Sequence, residues 1–215
     1  MIIQRVIKGI SKITQDQALR MLSEGIVRNW WRKVNPLPQH EVPLRLTDRN
    51  LDWHQNRYND PDPLEGGEQF RLYTPFISTT AGTVERDTFN ETNIMNPAWK
   101  EALPFATDSL TADGYLFYCY LLIIDRRTVA YQAFAEELRE LNVYPGFSPY
   151  QPEGEITAKI VIPPAQIEKA EFWSAADALD AVESGSLPGP DPARTLYNSF
   201  FVRPEDYNNV RDFLS

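Results

Sequence analysis

The chain has a single cysteine, Cys119, and only two histidines, His40 and His54. One thiol excludes an internal disulfide. Its place between Tyr118 and Tyr120, in an apolar run, reads as a small buried hydrophobe. So few histidines and cysteines exclude an ordinary zinc centre. No Gly-x-Gly-x-x-Gly or Walker phrase is present, and Glu65-Gly66-Gly67 is too short for a phosphate loop. No serine sits in a nucleophile elbow. No window approaches about 18 uninterrupted apolar residues, so the sequence carries no candidate membrane-spanning helix. The opening Met1-Ile2-Ile3-Gln4-Arg5-Val6 is too short and polar for a cleavable signal peptide. The expected location is the cytoplasm, or outside the cell by a route that needs no such signal.

What is present suits one globular domain. The 215 residues are 42% hydrophobic and 24% charged, with 17 prolines and a formal net charge of −9. That acidity argues against long contact with a nucleic-acid backbone, though not against one nucleotide held in a pocket. A Thr14-x-x-Gln17 capping box predicts a helix over 14–34 with Leu19, Leu22, Ile26 and Trp30 on its apolar stripe. Strands are predicted at 41–47, 70–80, 114–124, 153–162 and 166–173, and a second helix at 128–141. Residues 50–68 read as irregular and 84–110 as loops with short helical pieces. Ser174 opens a short helix that ends near Gly185, and the tail 186–215 reads as a wrap around the domain. Mixed connections between strands favour an α+β class over a doubly wound sheet. The expected division is a helical segment at 1–40, a central domain at 41–173 and a C-terminal helix and tail at 174–215.

Three strand-borne features converge on one kind of chemistry. Phe76-Ile77-Ser78-Thr79-Thr80 is an apolar strand ending in three hydroxyls; strand alternation puts Ser78 and Thr80 on one face. Arg45 interrupts an apolar strand, where a guanidinium is a fixed fork for phosphate or carboxylate. Arg49, just beyond that strand, competes for the same role. Glu153 and Glu155 are two apart and face the same way in a regular strand, where like charges raise at least one pKa. Such a pair suits glycosyl transfer, in which a carboxylate stabilises positive charge developing on a sugar. The loop before it carries Phe147 and Tyr150, which either clamp a substrate or fold back on the core. His40 and His54 read as surface or packing residues.

Together, Arg45, Ser78-Thr79-Thr80 and Glu153-Gly154-Glu155 resemble the Arg–Ser–Glu class of mono-ADP-ribosyltransferases. Thr74-Pro75-Phe76 and Ile162-Pro163-Pro164 are similar to flanking phrases of that family. Leu46 and Thr80 depart from it, where Gly and Ser are common. The resemblance implies a split β-sandwich around a cleft that binds NAD as substrate. It implies that Arg45 holds a phosphate, that Ser78, with Thr79 and Thr80, orders the ribose side, and that Glu155 is the catalytic carboxylate. Glu153 would engage the acceptor, most simply an arginine side chain of a protein. Relatives of this kind act as toxins and effectors, with an inhibitory or immunity-type protein as a conceivable partner. Three alternatives stay open at this point: a nucleic-acid base or small molecule as acceptor, water as acceptor, or a non-enzymatic NAD-binding domain.

Overall fold

The computed structural model describes residues 2–28, 46–87, 92–123, 154–187 and 191–206. In chain order these form β1 (Ile2–Ser11), α1 (Gln15–Glu24), β2 (Ile26–Val27), α2 (Asp48–Asn56), β3 (Pro61–Asp62), β4 (Glu68–Gln69), β5 (Phe76–Thr80), β6 (Thr83–Asp87) and β7 (Thr92–Asn96). There follow α3 (Ala98–Ala106), β8 (Gly114–Ile123), β9 (Glu155–Lys159), β10 (Val161–Ile162), β11 (Ile167–Trp173), α4 (Ala175–Ser184) and β12 (Thr195–Tyr197). The class is α+β, as expected. An antiparallel six-stranded sheet runs in the order β12-β11-β8-β1-β5-β9, beside three two-stranded ribbons.

The sheet is split, and β1 lies at the split. It pairs with β8 along its whole length, from Ile2–Ile123 to Ser11–Gly114. With β5 it pairs at a single position, Ile7–Thr80. The β5–β9 pair is continuous again, from Phe76–Lys159 to Thr80–Glu155. Two sheet halves therefore touch at one register position and part beyond it. This strand lies inside the expected helical segment 1–40, so that segment supplies a central strand of the sheet before its helix.

Apolar packing covers both faces of β1 and β8. Val6, Tyr115, Phe117, Cys119 and Leu121 join Ala18 and Leu22 of α1 in one cluster. Ile7 and Leu116 join Trp99, Ala102, Leu103 and Ala106 of α3, and Ala178 and Ala181 of α4, in the other. The near-continuous apolar run of β8 is thus the pattern of a strand buried on both sides. Cys119 is a free, buried thiol, as its surroundings in the sequence suggested. Gly9 allows α3 to lie against β1: a Cβ there would stand 2.3 Å from the Ala102 carbonyl oxygen and 2.5 Å from the Ala106 nitrogen.

Element ends follow local chemistry. Thr14 caps α1, and the Gln17 side chain accepts from the Thr14 amide at 2.8 Å, completing the predicted box. The helix stops ten residues short of the predicted end at 34. At Gly25 the chain takes φ 92°, a conformation that favours glycine, and Ile26 then enters β2. Of the predicted stripe, Leu22 and Ile26 are buried and Leu19 is exposed; Trp30 lies outside the described residues. Thr47, predicted to end a strand, instead caps α2, its hydroxyl accepting from the Asn50 amide at 3.2 Å. A helix therefore occupies the start of the stretch read as irregular. Residues 41–45 of the predicted strand, the 128–141 helix and the 142–152 loop lie outside the described residues, and Leu46 sits in a bend. The predicted segment 84–110 contains the β6–β7 ribbon as well as a helix. In the tail, β12 pairs with β11, and the Val202 amide donates to the Ala165 carbonyl at 3.0 Å.

Candidate active site

A cleft of about 280 Å³ opens where the sheet halves part. β1 brings Ile7, Lys8 and Gly9 to it, β5 brings Ser78, Thr79 and Thr80, and β9 brings Glu155. One wall is formed by the end of α2 and the turn after it, with His54, Gln55 and Tyr58; Arg28 follows β2. Glu101, Ala102 and Phe105 of α3 complete the lining.

Glu155 is 6% exposed, and its burial pushes the carboxyl above the ordinary carboxylate range. A hydrogen bond from Ser78, the charge of Lys8, the Thr157 hydroxyl (3.3 Å) and the charge of Arg28 all work against that rise. Register explains the meeting: Thr80 faces Glu155 and Ser78 faces Thr157 across β5–β9, so all four side chains leave the same face.

Behind Ser78 stands His54, 4% exposed, with its Nε2 at 2.8 Å from the Ser78 Oγ and its Nδ1 at 2.9 Å from the Thr74 Oγ1. Burial, then the charges of Arg28 and Lys8, hold its pKa well below the ordinary 6.5, so the ring is neutral at pH 7. The proton directions follow. Ser78 donates to the carboxylate, so its oxygen must accept from the His54 Nε2–H. The His54 Nδ1 is then an acceptor and receives the Thr74 hydroxyl proton. The Thr74 oxygen in turn accepts from the Phe76 amide at 3.2 Å. This chain of donors runs one way, toward Glu155. The 3.8 Å approach of Nε2 to the Glu155 Oε1 is accordingly a polar contact of a neutral ring.

The cationic side of the cleft is Lys8 and Arg28. Burial and the neighbouring Arg28 charge bring the Lys8 ammonium down to about 8, against the pull of Glu155. Arg28 donates from Nη2 to the Tyr58 hydroxyl at 3.2 Å and lies over that ring at 5.7 Å. Its Nε and the Gln55 Nε2 are buried with no hydrogen-bond partner among the described residues. A buried donor left unpaired costs about 1–3 kcal/mol. The two cations, Lys8 and Arg28, suit an anionic ligand.

The predicted site residues fall into three groups. Ser78 and Glu155 come together at the base of the cleft. Thr79 and Thr80 border it with their hydroxyls engaged: Thr79 donates to the Ile156 carbonyl at 2.5 Å, and Thr80 accepts from the Gly82 amide at 3.1 Å. Arg45, Glu153, Phe147 and Tyr150 lie outside the described residues. Arg49, the competing cation, does not line the cleft. It forms a forked pair with buried Asp62 (2.8 and 3.3 Å) and stacks on Trp53 at 4.5 Å. Sequence reasoning missed Lys8, Arg28 and Gln55, and placed His54 on the surface or in packing; the structure places it behind Ser78. The available signal was Thr47-x-x-Asn50, a helix start that sets Leu51 and His54 on one face. Among the described residues no cluster of His, Cys, Asp or Glu could hold a metal ion, and no helix is long and apolar enough to cross a membrane.

No family model and no curated protein matches the chain. Among solved structures, the chain is similar to one named EcPltA, with 15% identity, a TM-score of 0.45, and coverage of 93% of this chain and 88% of that one. It is also similar to a Glu-to-Gln mutant of the catalytic domain of the mosquitocidal toxin from Bacillus sphaericus. That match has 12% identity and a TM-score of 0.38, covering 88% of this chain and 62% of the other.

Proposed function

We propose that this chain is an NAD-dependent mono-ADP-ribosyltransferase. The observation that carries the reading is the buried Glu155 at the base of a cationic cleft, held by Ser78 and, behind it, by neutral His54. The bond between nicotinamide and ribose breaks with its electron pair leaving on the nicotinamide. Positive charge develops on the ribose, and the Glu155 carboxylate stabilises it in a site of low dielectric. Ser78 and His54 are positioning residues that aim this carboxylate. Lys8 and Arg28 supply positive charge for the NAD phosphates. The acceptor nucleophile then bonds to the ribose carbon and passes its proton to solvent water.

Arginine on a protein is the acceptor this reading names, resting on the Glu153-Gly154-Glu155 phrase in the sequence. A toxin or effector is the biological setting that the sequence resemblance implies. The test is nicotinamide release from NAD, with transfer of labelled ADP-ribose to an arginine-rich protein. Glu155→Gln is expected to cut release by about 100-fold or more, the scale of losing a preorganised electrostatic group. Because it removes a buried charge, it should keep or raise thermal stability. Absence of nicotinamide release by the parent protein would overturn the reading. Release without transfer to arginine would leave the NAD chemistry standing and replace the acceptor.

A further inference from the structure

α3 divides its side chains between the core and the cleft. Trp99, Ala102, Leu103 and Ala106 are buried against the sheet. Glu101 and Phe105 lie on the neighbouring face, and both line the cleft. Four residues apart on one helix, their side chains are neighbours. Gly9 lets this helix rest directly on β1: a Cβ there would stand 3.1 Å from the Phe105 carbonyl carbon. The Glu101–Phe105 face therefore borders the strand that carries Lys8. Phe105 is 52% exposed, and among the exposed large hydrophobic side chains of the described residues it is the one that lines the cleft. Glu155, at the base, is 6% exposed. The bond between nicotinamide and ribose has to lie at Glu155, in the interior. Phe105 marks the mouth, where a side chain carried on another protein enters, and aromatic residues are enriched at such contacts.

Charge narrows the class of ligand. Glu101 and Glu155 are the carboxylates of the described lining. Glu101 repels phosphate, which disfavours a nucleic-acid acceptor on this face. A carboxylate beside an aromatic ring suits a flat cation. A guanidinium meets both groups, because it stacks on the ring and offers the carboxylate a fork of N–H donors. The pyridinium ring of NAD is also flat and cationic, but its ring nitrogen carries no N–H and its ribose holds it near Glu155. An ammonium lacks the flat face. We propose that Glu101 and Phe105 form the acceptor subsite for an arginine side chain, with the guanidinium stacked on Phe105 and donating to Glu101. This rests on the NAD-transfer reading and deepens it, adding to Glu153 two residues that select the acceptor.

The test compares nicotinamide release without acceptor, where water takes the ADP-ribose, with transfer to agmatine, a small guanidine, read by mass spectrometry of the adduct. Phe105→Ala is expected to raise the agmatine KM about fivefold, the scale of losing a cation–π contact. Glu101→Gln is expected to raise it about tenfold, through loss of a charge-assisted hydrogen bond. The ratio of transfer to hydrolysis at low agmatine falls by the same factors. Phe105→Tyr keeps a ring and should restore the parent ratio. Cadaverine, an amine of similar length, should give no adduct; an adduct as abundant as that of agmatine overturns the stacked guanidinium. A ratio equal to the parent in both variants overturns the subsite while the NAD reading stands. So does a rise in the NAD KM that matches the rise for agmatine, since the pair then holds the dinucleotide. Nicotinamide release by the parent with no agmatine adduct removes the arginine acceptor and this subsite and leaves the NAD chemistry. A parent that releases no nicotinamide overturns the NAD reading itself.

Discussion

Lys8 gives the most direct handle on the cleft, because its charge changes within an accessible pH range. Its ammonium is held at about 8, where a free lysine stands at 10.5. With that value the group is about nine-tenths charged at pH 7 and about one-tenth charged at pH 9. A ligand that needs the charge should therefore show kcat/KM for nicotinamide release falling about tenfold across that interval. On the acid side, the proposed mechanism requires ionised Glu155, so activity should rise through a value above the ordinary carboxylate range. The profile is a bell, and its two limbs belong to different residues. Lys8→Arg separates them, since a guanidinium stays charged throughout: the alkaline limb should vanish and the acid limb stay. Stability carries the same signature. A base depressed in the folded state is more protonated in the unfolded chain between about 8 and 10.5, so this group makes the protein more stable as pH rises through that window. The full shift corresponds to about 3 kcal/mol as a ceiling, because part of the side chain keeps contact with solvent. Urea midpoints at pH 7.5 and 10, for the parent and Lys8→Met, read that difference. A flat activity profile from pH 7 to 9.5, or an alkaline limb that persists in Lys8→Arg, would refute the assignment of the cleft's charge to Lys8.

His54 predicts the opposite end of the pH scale. The unfolded chain takes a proton near 6.5 that the buried ring refuses, so this group destabilises the protein as pH falls below 6.5. Glu155 partly compensates, because its raised folded pKa favours the folded state as the carboxyl protonates above 4.5. Chemical denaturation of Glu155→Gln from pH 7 to 5 should therefore show a steeper acid loss than the parent. Gly9→Ala should lower stability by about 1–3 kcal/mol, read as a drop in urea midpoint, because the new Cβ meets the α3 backbone at 2.3 and 2.5 Å. Arg49→Ala leaves buried Asp62 without its forked partner and should cost about 3 kcal/mol in thermal or urea unfolding. It should spare nicotinamide release measured well below the new melting point, since Arg49 lies outside the cleft.

Ser78 and Glu155 stood out in the sequence because each polar residue adjoins apolar ones in a strand. Ser78 follows Phe76-Ile77, and Glu155 precedes Ile156 in a strand whose five residues are all buried. The sequence singled out Glu155 by its spacing from Glu153 and by the family resemblance, and the structure adds that the carboxylate is buried. β8 was legible for the converse reason, since ten residues with almost no polar interruption require cover on two faces. β1 hid because its pattern serves two purposes at once. Val6 and Ile7 face opposite cores, so period-two alternation is lost, and Lys8 is polar because it meets the cleft where β1 and β5 part. That parting is itself invisible to local sequence: it is a matter of register, with Ile7–Thr80 the one shared position. α2 hid because a nine-residue helix held by its cap and by its packing on Phe70 shows no long apolar stripe. His54 sits on that helix, and its role depends on Thr74 and Ser78, both twenty or more residues away. The Thr47-x-x-Asn50 cap could mark the helix that carries His54, but not the partners its ring meets. The two contacts of its ring, to Thr74 and Ser78, exist only once α2 has packed over β5.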